Sequence, residues 1–308
     1  MPMPYPFDLL TVLGPTASGK TRLGVKLCHE LNGEIISADS RQVYRGMNIG
    51  TGKDLEEYGE IPFHLIDIAA AGEEFSLFDF QRRCLEAIRS IRGRGRLPAM
   101  VGGTGLYLDA VLRRYRLVAV AADPRLRAEL APLPMEELIR RLLELKPAPH
   151  NTTDFRDREH LTRAIEIAAG EKQAAAPDLP DFPPVTPLIL GIRWEREALR
   201  HRIGIRLRQR LDQGMIEEVA GLHNSGVSFA ALENYGLEYR FVAWFLQGKL
   251  NREELFEKLY QAIGAFAKRQ MTWFRRMERN GLVIHWLDGN KDPLATALAI
   301  IGRQVRRQ

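Results

Sequence analysis

The segment Gly14-Pro15-Thr16-Ala17-Ser18-Gly19-Lys20-Thr21 constrains this chain more than any other. It fits G-x-x-x-x-G-K-[ST] and stands between an apolar run, Asp8–Leu13, and a helix-like stretch, Thr21–Leu31, that Gly33 stops. The glycines let backbone N–H groups turn inward around an anion. Lys20 adds a point charge, Thr21 is placed to hold Mg2+, and the following helix directs its positive end at a phosphate. All eight residues are candidate ligands of a diphosphate or nucleotide. This phosphate-binding loop (P-loop) predicts diphosphate or polyphosphate binding and leaves the chemistry open.

The front of the chain repeats the order strand, loop, helix. Glu34–Ala38 reads as a second strand and His64–Ile68 as a third. Phe78–Gly93 reads as a helix with Phe80, Cys84, Ala87, Ile88 and Ile91 on one stripe. Ala99–Val101 opens a fourth strand that ends in Gly102-Gly103. This alternation implies an α/β fold of P-loop type, a mostly parallel sheet with helices on both faces. From Tyr115 to Ala169 the pattern turns helical, with Asp123-Pro124 as a helix start. Residues 171–187 carry Pro177, Pro180, Pro183, Pro184 and Pro187 and read as a linker. Leu188–Trp194 returns as a strand, a helical block runs to Asn280, and Val283–Leu287 reads as a last strand. At about 150 residues per domain, this length suggests about two domains or one core with a large insertion. The expected division is 1–114 with 188–308 as a core with a basic helical back end, and 115–187 as a helical insertion with its linker.

Asp39 follows the second strand at its carboxyl end, the edge where open parallel sheets bind ligands. Three roles compete for it: Mg2+ ligand, general base toward a nucleophile opposite the phosphate, or helix N-cap. Gly102-Gly103-Thr104-Gly105 makes a second glycine turn on that edge. It is either a plain tight turn or, with the other two loops, a substrate contact.

Composition narrows the class. With 45% hydrophobic and 27% charged residues, disorder is excluded as the dominant state. No stretch approaches the roughly 20 apolar residues of a bilayer span. Two cysteines, Cys28 and Cys84, exclude a disulfide scaffold and read as packed thiols. The opening MPMPYPFDLL lacks the pattern of a secretion signal, which predicts a cytoplasmic protein. The net charge of +5 is unevenly spread: residues 193–276 are basic, whereas residues 1–192 are slightly acidic. A polyanion partner for the back end accounts for this, and so does a solvated helical surface.

Within that block Arg202, Arg206 and Arg210 repeat at i+4 beside an apolar stripe of Leu199, Ile203, Leu207 and Leu211. Such a ridge suits phosphates, or it pairs with acids such as Glu195 and Glu217. In Lys268–Arg276 charge interleaves with aromatics. That arrangement suits a single-stranded RNA loop, or Trp273 and Phe274 are core anchors. His64, His160 and His223 lack metal-ligand spacing and read as structural.

Several of these segments together resemble the tRNA dimethylallyltransferase (isopentenyl-tRNA transferase) family. The family pattern is GPTASGKT, DSxQVYRxMxIGT, HLID, VGGTGLY and a late AKRQxTWFR. This chain has GPTASGKT (14–21), DSRQVYRGMNIGT (39–51), HLIDI (64–68), VGGTGLY (101–107) and AKRQMTWFRR (267–276). The match runs in order over nearly the whole chain. The resemblance implies transfer of a dimethylallyl group from its diphosphate to N6 of adenosine 37 of tRNA, with the P-loop on the diphosphate and Mg2+ as cofactor. It implies Asp39 as base, Thr104 near the substrate and Lys20 on the developing charge. It also implies a flipped adenine.

The tRNA partner, met at its anticodon stem-loop, would be held by Asp39, Ser40, Arg41, Gln42, Thr104, Arg127, Arg163, Arg202, Arg206, Lys268, Arg269 and Arg275. On this reading Arg202 and Arg206 lie outside the phosphate cradle. The protein is expected to act as a monomer without a membrane. A P-loop small-molecule or nucleoside kinase, and a non-catalytic ATP-gated RNA-binding module, are the competing classes. The chain departs from the pattern at GTGKD (50–54, for GTAKP), Phe63 (for His), HLTRAIE (160–166), AGEKQA (169–174) and NYGLEYR (234–240, for IGYKE). These departures are expected in tRNA-facing or linker parts.

Overall fold

The computed structural model describes residues 5–147, 155, 157–173 and 185–306. Its front half runs β1 (Leu9–Leu13), α1 (Lys20–Leu31), β2 (Gly33–Ala38), β3 (Phe63–His64), α2 (Leu77–Gly93), β4 (Leu97–Gly102) and α3 (Gly105–Leu112). Then come α4 (Pro124–Leu130), α5 (Met135–Leu145) and α6 (Arg158–Gln173). The back half runs β5 (Pro187–Arg193), α7 (Arg196–Asp212), α8 (Met215–Asn224), α9 (Phe229–Asn234), α10 (Leu237–Leu246), α11 (Arg252–Arg279), β6 (Ile284–Asp288) and α12 (Pro293–Val305). Two compact units result: Met1–Arg114 with Phe182–Gln308, and Tyr115–Asp181.

The first unit is built on a six-stranded sheet of order β3-β2-β4-β1-β5-β6, parallel at every pairing. Every residue of β1, β2 and β4 is buried, which is why these strands read as continuous rather than alternating apolar runs. Leu10 and Val12 pack with Leu23 and Leu27 of α1 and with Ile300 and Ile301 of α12. Leu9 and Leu13 pack on the opposite face with Phe80, Cys84 and Ile88 of α2, Val111 of α3 and Phe274 of α11. A third core joins Ile203 and Leu207 of α7 to α8, α10, α11 and the Val43–Met47 turn. Ser76 with Asp79, and Asn251 with Glu254, form capping boxes that start α2 and α11. Cys28 and Cys84 are free, buried thiols, and burial pushes each up to about 12.

The third strand is shorter than expected. HLIDI does not run straight, because Leu65 (φ 64°) and Asp67 (φ 56°) adopt left-handed backbone. The bend turns the Asp67 carboxylate to the Nζ of Lys53, a fully buried ammonium that also donates to Tyr44 O at 2.7 Å and Asn48 Oδ1 at 3.0 Å. A buried cation needs its partners, and meeting them ends the strand at His64.

In the second unit α4, α5 and α6 pack through Leu130, Leu138, Leu142, Leu161 and Ile165. Asp123 Oδ1 caps α4, as Asp123-Pro124 predicts. Residues 115–123 form no helix; there Val120 lies against Gly170 and its carbonyl accepts from Arg163 at 2.8 Å. Buried Glu166 accepts from Arg127 Nε at 2.7 Å and Nη2 at 2.9 Å, from Arg163 Nη1 at 3.1 Å, and from Asp123 N at 2.9 Å. The arginines expected on tRNA are thus anchored on this carboxylate. Most of the linker, including Pro177, Pro180, Pro183 and Pro184, lies outside the described residues, whereas Pro187 begins β5.

At the sheet's other edge buried Glu34 gathers two arginines, Arg94 (2.6 Å) and Arg96 (3.4 Å), and the His64 ring (2.7 Å). Burial alone would raise its pKa, but the hydrogen bonds from Arg94 and His64 hold it below the usual carboxylate range. Glu34→Ala should lower the unfolding free energy by about 1 kcal/mol, since it removes hydrogen bonds whose arginine partners remain exposed to water. A carboxylate depressed in the folded state stabilises fully above its unfolded pKa of about 4.3, and loses that effect as pH falls through the folded value. The difference from wild type should therefore shrink in acid. Urea titrations followed by tryptophan fluorescence at pH 7 and pH 3.5 check this, all four tryptophans being in this unit.

Candidate active site

Because the strands are parallel, the loops after β1, β2 and β4 leave from one edge. The P-loop turns through left-handed backbone at Ala17 (φ 61°) and Gly19 (φ 87°). A Cβ at Gly14 would stand 2.6 Å from Ser18 Oγ, so the turn needs glycine there. The loop is tied from outside: Trp194 Nε1 donates to Ser18 O at 3.0 Å, and Arg202 Nε donates to Ala17 O at 2.9 Å. Gln270 on α11 accepts from Thr16 N at 2.8 Å and donates to Gly103 O at 2.9 Å. That one amide bridges the P-loop and the turn after β4. Thr104 closes the other side, its Oγ1 accepting from Ser40 N at 3.0 Å. Gly103 and Gly105 are required here, since a Cβ would lie 2.4 Å from Gln270 Nε2 and 2.3 Å from the Trp273 ring.

Asp39 therefore shares its edge with both glycine loops. Its Oδ1 accepts from Arg41 N at 2.9 Å, capping a turn and not a helix, and its Oδ2 is left for other work. Ser40 is half-buried and Arg41 exposed. Gln42 is buried, its amide reaching Ser37 Oγ at 2.8 Å and Gly52 O at 3.0 Å. Glu218 shapes the next turn by accepting from the N–H groups of Asn48, Ile49 and Gly50 at 2.7–3.0 Å, and from Tyr239 OH at 2.7 Å.

A cavity of about 390 Å³ opens in front of the P-loop, lined by Gly19, Lys20, Thr21, Arg202, Arg206 and Arg210. The arginine ridge expected outside the cradle forms its wall. The cause is Trp194: it leaves β5, binds the P-loop and stacks on Arg202, whose Cζ is 4.2 Å from the ring centre. That contact turns this face of α7 inward. The expected partners Glu195 and Glu217 do not hold the ridge. Arg206 faces Asp54 at 4.0 Å and buried Arg210 faces Glu238 at 3.6 Å. Two departures from the family pattern, Asp54 in GTGKD and Glu238 in NYGLEYR, thus stand beside this cavity. Burial pushes the Lys20 ammonium down to about 8; Asp39 and Asp54 oppose the shift, and Arg206 and Arg210 add to it.

On α11, Ala267, Gln270 and Phe274 face inward, while Lys268, Arg269, Thr272 and Arg275 form an exposed basic stripe. Phe274 is a core anchor and Trp273 is half-buried against Gly105. His64 and His223 serve structural contacts, on Glu34 and on Val227 O. Sequence reasoning missed Gln270 as a bridge, and Lys53, Glu218 and Glu238. Only Gln270 carried a signal, as a polar residue on the core spacing Ile263, Ala267, Gln270, Phe274, Met277.

A family model described as IPP transferase matches residues 42–277. The chain belongs to the IPP transferase family. It is 62% identical to a tRNA dimethylallyltransferase 2 of Syntrophotalea carbinolica, over 95% of this chain and 98% of that one. To a tRNA dimethylallyltransferase 1 of Geotalea daltonii it is 59% identical, over 97% and 96%. The solved tRNA isopentenylpyrophosphate transferase of Bacillus halodurans superposes with a TM-score of 0.71 at 34% identity, covering 97% of each chain. A eukaryotic dimethylallyltransferase acting on tRNA shares the fold, with a TM-score of 0.77 at 23% identity, over 97% of this chain and 80% of that one.

The depressed Lys20 gives a pH test. An anion in the cavity favours the charged ammonium, so a proton is taken up on binding above pH 8. Affinity for magnesium pyrophosphate should be full below pH 8 and weaken by up to about tenfold per unit above it. Calorimetry from pH 7 to 9.5 measures this, and Lys20→Arg, which stays charged, should remove the added dependence.

Proposed function

We infer that this enzyme transfers a dimethylallyl group from dimethylallyl diphosphate to N6 of adenosine 37 in the anticodon stem-loop of tRNA, releasing diphosphate. The observation that carries the reading is the convergence of three loops on one sheet edge, with Asp39 and Thr104 on one side and a cationic cavity in front of Lys20 on the other. The allylic C–O bond breaks as negative charge grows on the diphosphate. Lys20, Arg206 and the P-loop amides meet that charge where it develops. The N6 amine forms the new N–C bond, and Asp39 Oδ2 takes its proton. Thr104 and Ser40, already hydrogen-bonded to each other, position the adenine, which must leave its stack to enter.

Mg2+ fits this donor set. The Thr21 hydroxyl at the cavity offers one hard oxygen. That suits an ion carried mainly by diphosphate oxygens and water. Thr21 would hold it, and when bound it neutralises leaving-group charge. Among the described residues no helix is long and apolar enough to cross a membrane. We place the enzyme in the cytoplasm with its tRNA, as a monomer.

Purified protein given unmodified tRNA, Mg2+ and dimethylallyl diphosphate should release pyrophosphate and add one prenyl mass to the tRNA. Turnover of ATP with unchanged tRNA mass would instead mark a kinase, and neither product a binding module. Asp39→Asn should cut turnover by about 10²-fold or more while pyrophosphate binding survives; loss of Mg2+-dependent binding in calorimetry would make Asp39 a metal ligand instead. The exposed stripe of Lys268, Arg269 and Arg275 should supply phosphate contacts. Replacing all three by Ala should weaken tRNA binding and flatten its salt slope by up to about one unit per lost contact, as read by filter binding at several salt concentrations.

A further inference from the structure

Arg210 is the least explained charge in the first unit. It is 6% exposed, and its Nη2 has no hydrogen-bond partner. Its nearest acid, Glu238, stands at 3.6 Å, an ion pair too long to be a hydrogen bond. A buried guanidinium with a bare donor is costly, and nothing in the protein relieves it. The side chain nevertheless lines the cavity that also holds Lys20, Thr21 and Arg206, and the Lys20 ammonium feels its charge. Arg206 has a buried, unpartnered Nε in the same place.

Two positions at which this chain departs from the family pattern interlock around Arg210. At position 52 the pattern has Ala and this chain has Gly; a Cβ there would fall 1.5 Å from Arg210 Nη2 and 2.3 Å from Arg206 Nη2. At 238, aligned on Gly236, the pattern has Lys and this chain has Glu238, the acid that faces Arg210. Gly52 makes room for the guanidinium, and Glu238 offsets part of its charge. Gly52 also suits its own left-handed backbone (φ 62°), and both changes leave a cation accommodated at the back of the cavity.

We propose that Arg210 is a ligand of the leaving diphosphate, reaching from α7 to the phosphate farther from the prenyl group, with Glu238 as its resting counter-ion. This rests on the diphosphate reading of the cavity. When the anion enters, the bare Nη2 gains an acceptor and the long Arg210–Glu238 contact is exchanged for a charge-assisted hydrogen bond. Glu238 then works against the anion for Arg210, so removing its charge should favour binding.

The test is calorimetry of wild type and variants with magnesium pyrophosphate, alongside steady-state kinetics in dimethylallyl diphosphate. Arg210→Met should weaken pyrophosphate at least tenfold and raise KM more than it lowers kcat. Glu238→Gln should tighten pyrophosphate several-fold, and should have no effect in the Arg210→Met background, a coupling that a purely structural pair would not show. If Arg210→Met does not fold, Arg210→Lys should still weaken binding threefold or more, because it loses the fork. Binding within twofold of wild type in the folded Arg210 variant, or weaker binding in Glu238→Gln, overturns the proposal. Lys20→Ala separates the two readings. If it abolishes binding that the Arg210 variant keeps, only this proposal fails; if wild type itself binds no pyrophosphate, the cavity assignment fails with it.

Discussion

Repulsion among like charges governs the active edge. Lys20, Arg202, Arg206 and Arg210 converge on one cavity, and Asp54 and Glu238 offset them only in part, at 4.0 and 3.6 Å. Lys20 and Arg210 are pushed down first by burial and then by neighbouring arginines, Lys20 to about 8 and Arg210 to about 10. A site in this state gains most from a ligand whose negative charge increases. The ester linkage of an allylic diphosphate becomes an additional anionic oxygen as the C–O bond breaks. A cation fixed beside that oxygen therefore stabilises the transition state more than the bound substrate, whereas one on the farther phosphate stabilises both alike.

Such crowding persists only if the cations cannot swing into water. Arg202 is clamped between the Trp194 ring and Ala17 O, and Lys20 leans on Pro15 O at 3.4 Å. Arg210 is enclosed by the turn at Gly52, which Gln42 holds from one side and Glu218, through Gly50, from the other. The carboxylate of Glu218 takes three successive N–H groups, an arrangement that converts a flexible turn into a fixed wall. The third apolar core, shared by α7, α8, α10 and α11, thus determines the position of charge at the sheet edge.

The sheet, its parallel sense and the P-loop were legible because they rest on local rules: apolar runs, glycine turns and caps. The bend at Leu65–Asp67 was not, since it answers to Lys53, a residue 14 positions before Asp67 that no periodicity marks as buried. The arginine ridge was legible as a ridge, with Ile203 and Leu207 inward. Its direction depended on Trp194 meeting the P-loop, a contact between residues 176 apart in sequence. Asp54 and Glu238 were visible as departures from a pattern, but only the fold puts them beside the arginines. Arg127 and Arg163 show the same limit, because nothing local announces that both converge on buried Glu166.

The strand order explains why these loops can cooperate. β1 and β2 are consecutive in sequence, yet β4 lies between them. With strands about 4.8 Å apart, the loops after β1 and β2 leave the sheet about 10 Å apart. That leaves room for a leaving group on one side and an entering amine on the other, with the reacting carbon between. The loop after β4 fills the middle and touches both: Thr104 reaches the Asp39 loop through Ser40, and Gly103 reaches the P-loop through Gln270. Gly102 approaches the β2 backbone so closely that a Cβ would lie 2.1 Å from Ala38 O, which locks this middle loop to its neighbour. The P-loop and the loop carrying Asp39 are thus joined through the backbone and one amide side chain. The two loops to which we assign base and leaving group are held in register by the crossover of the sheet itself.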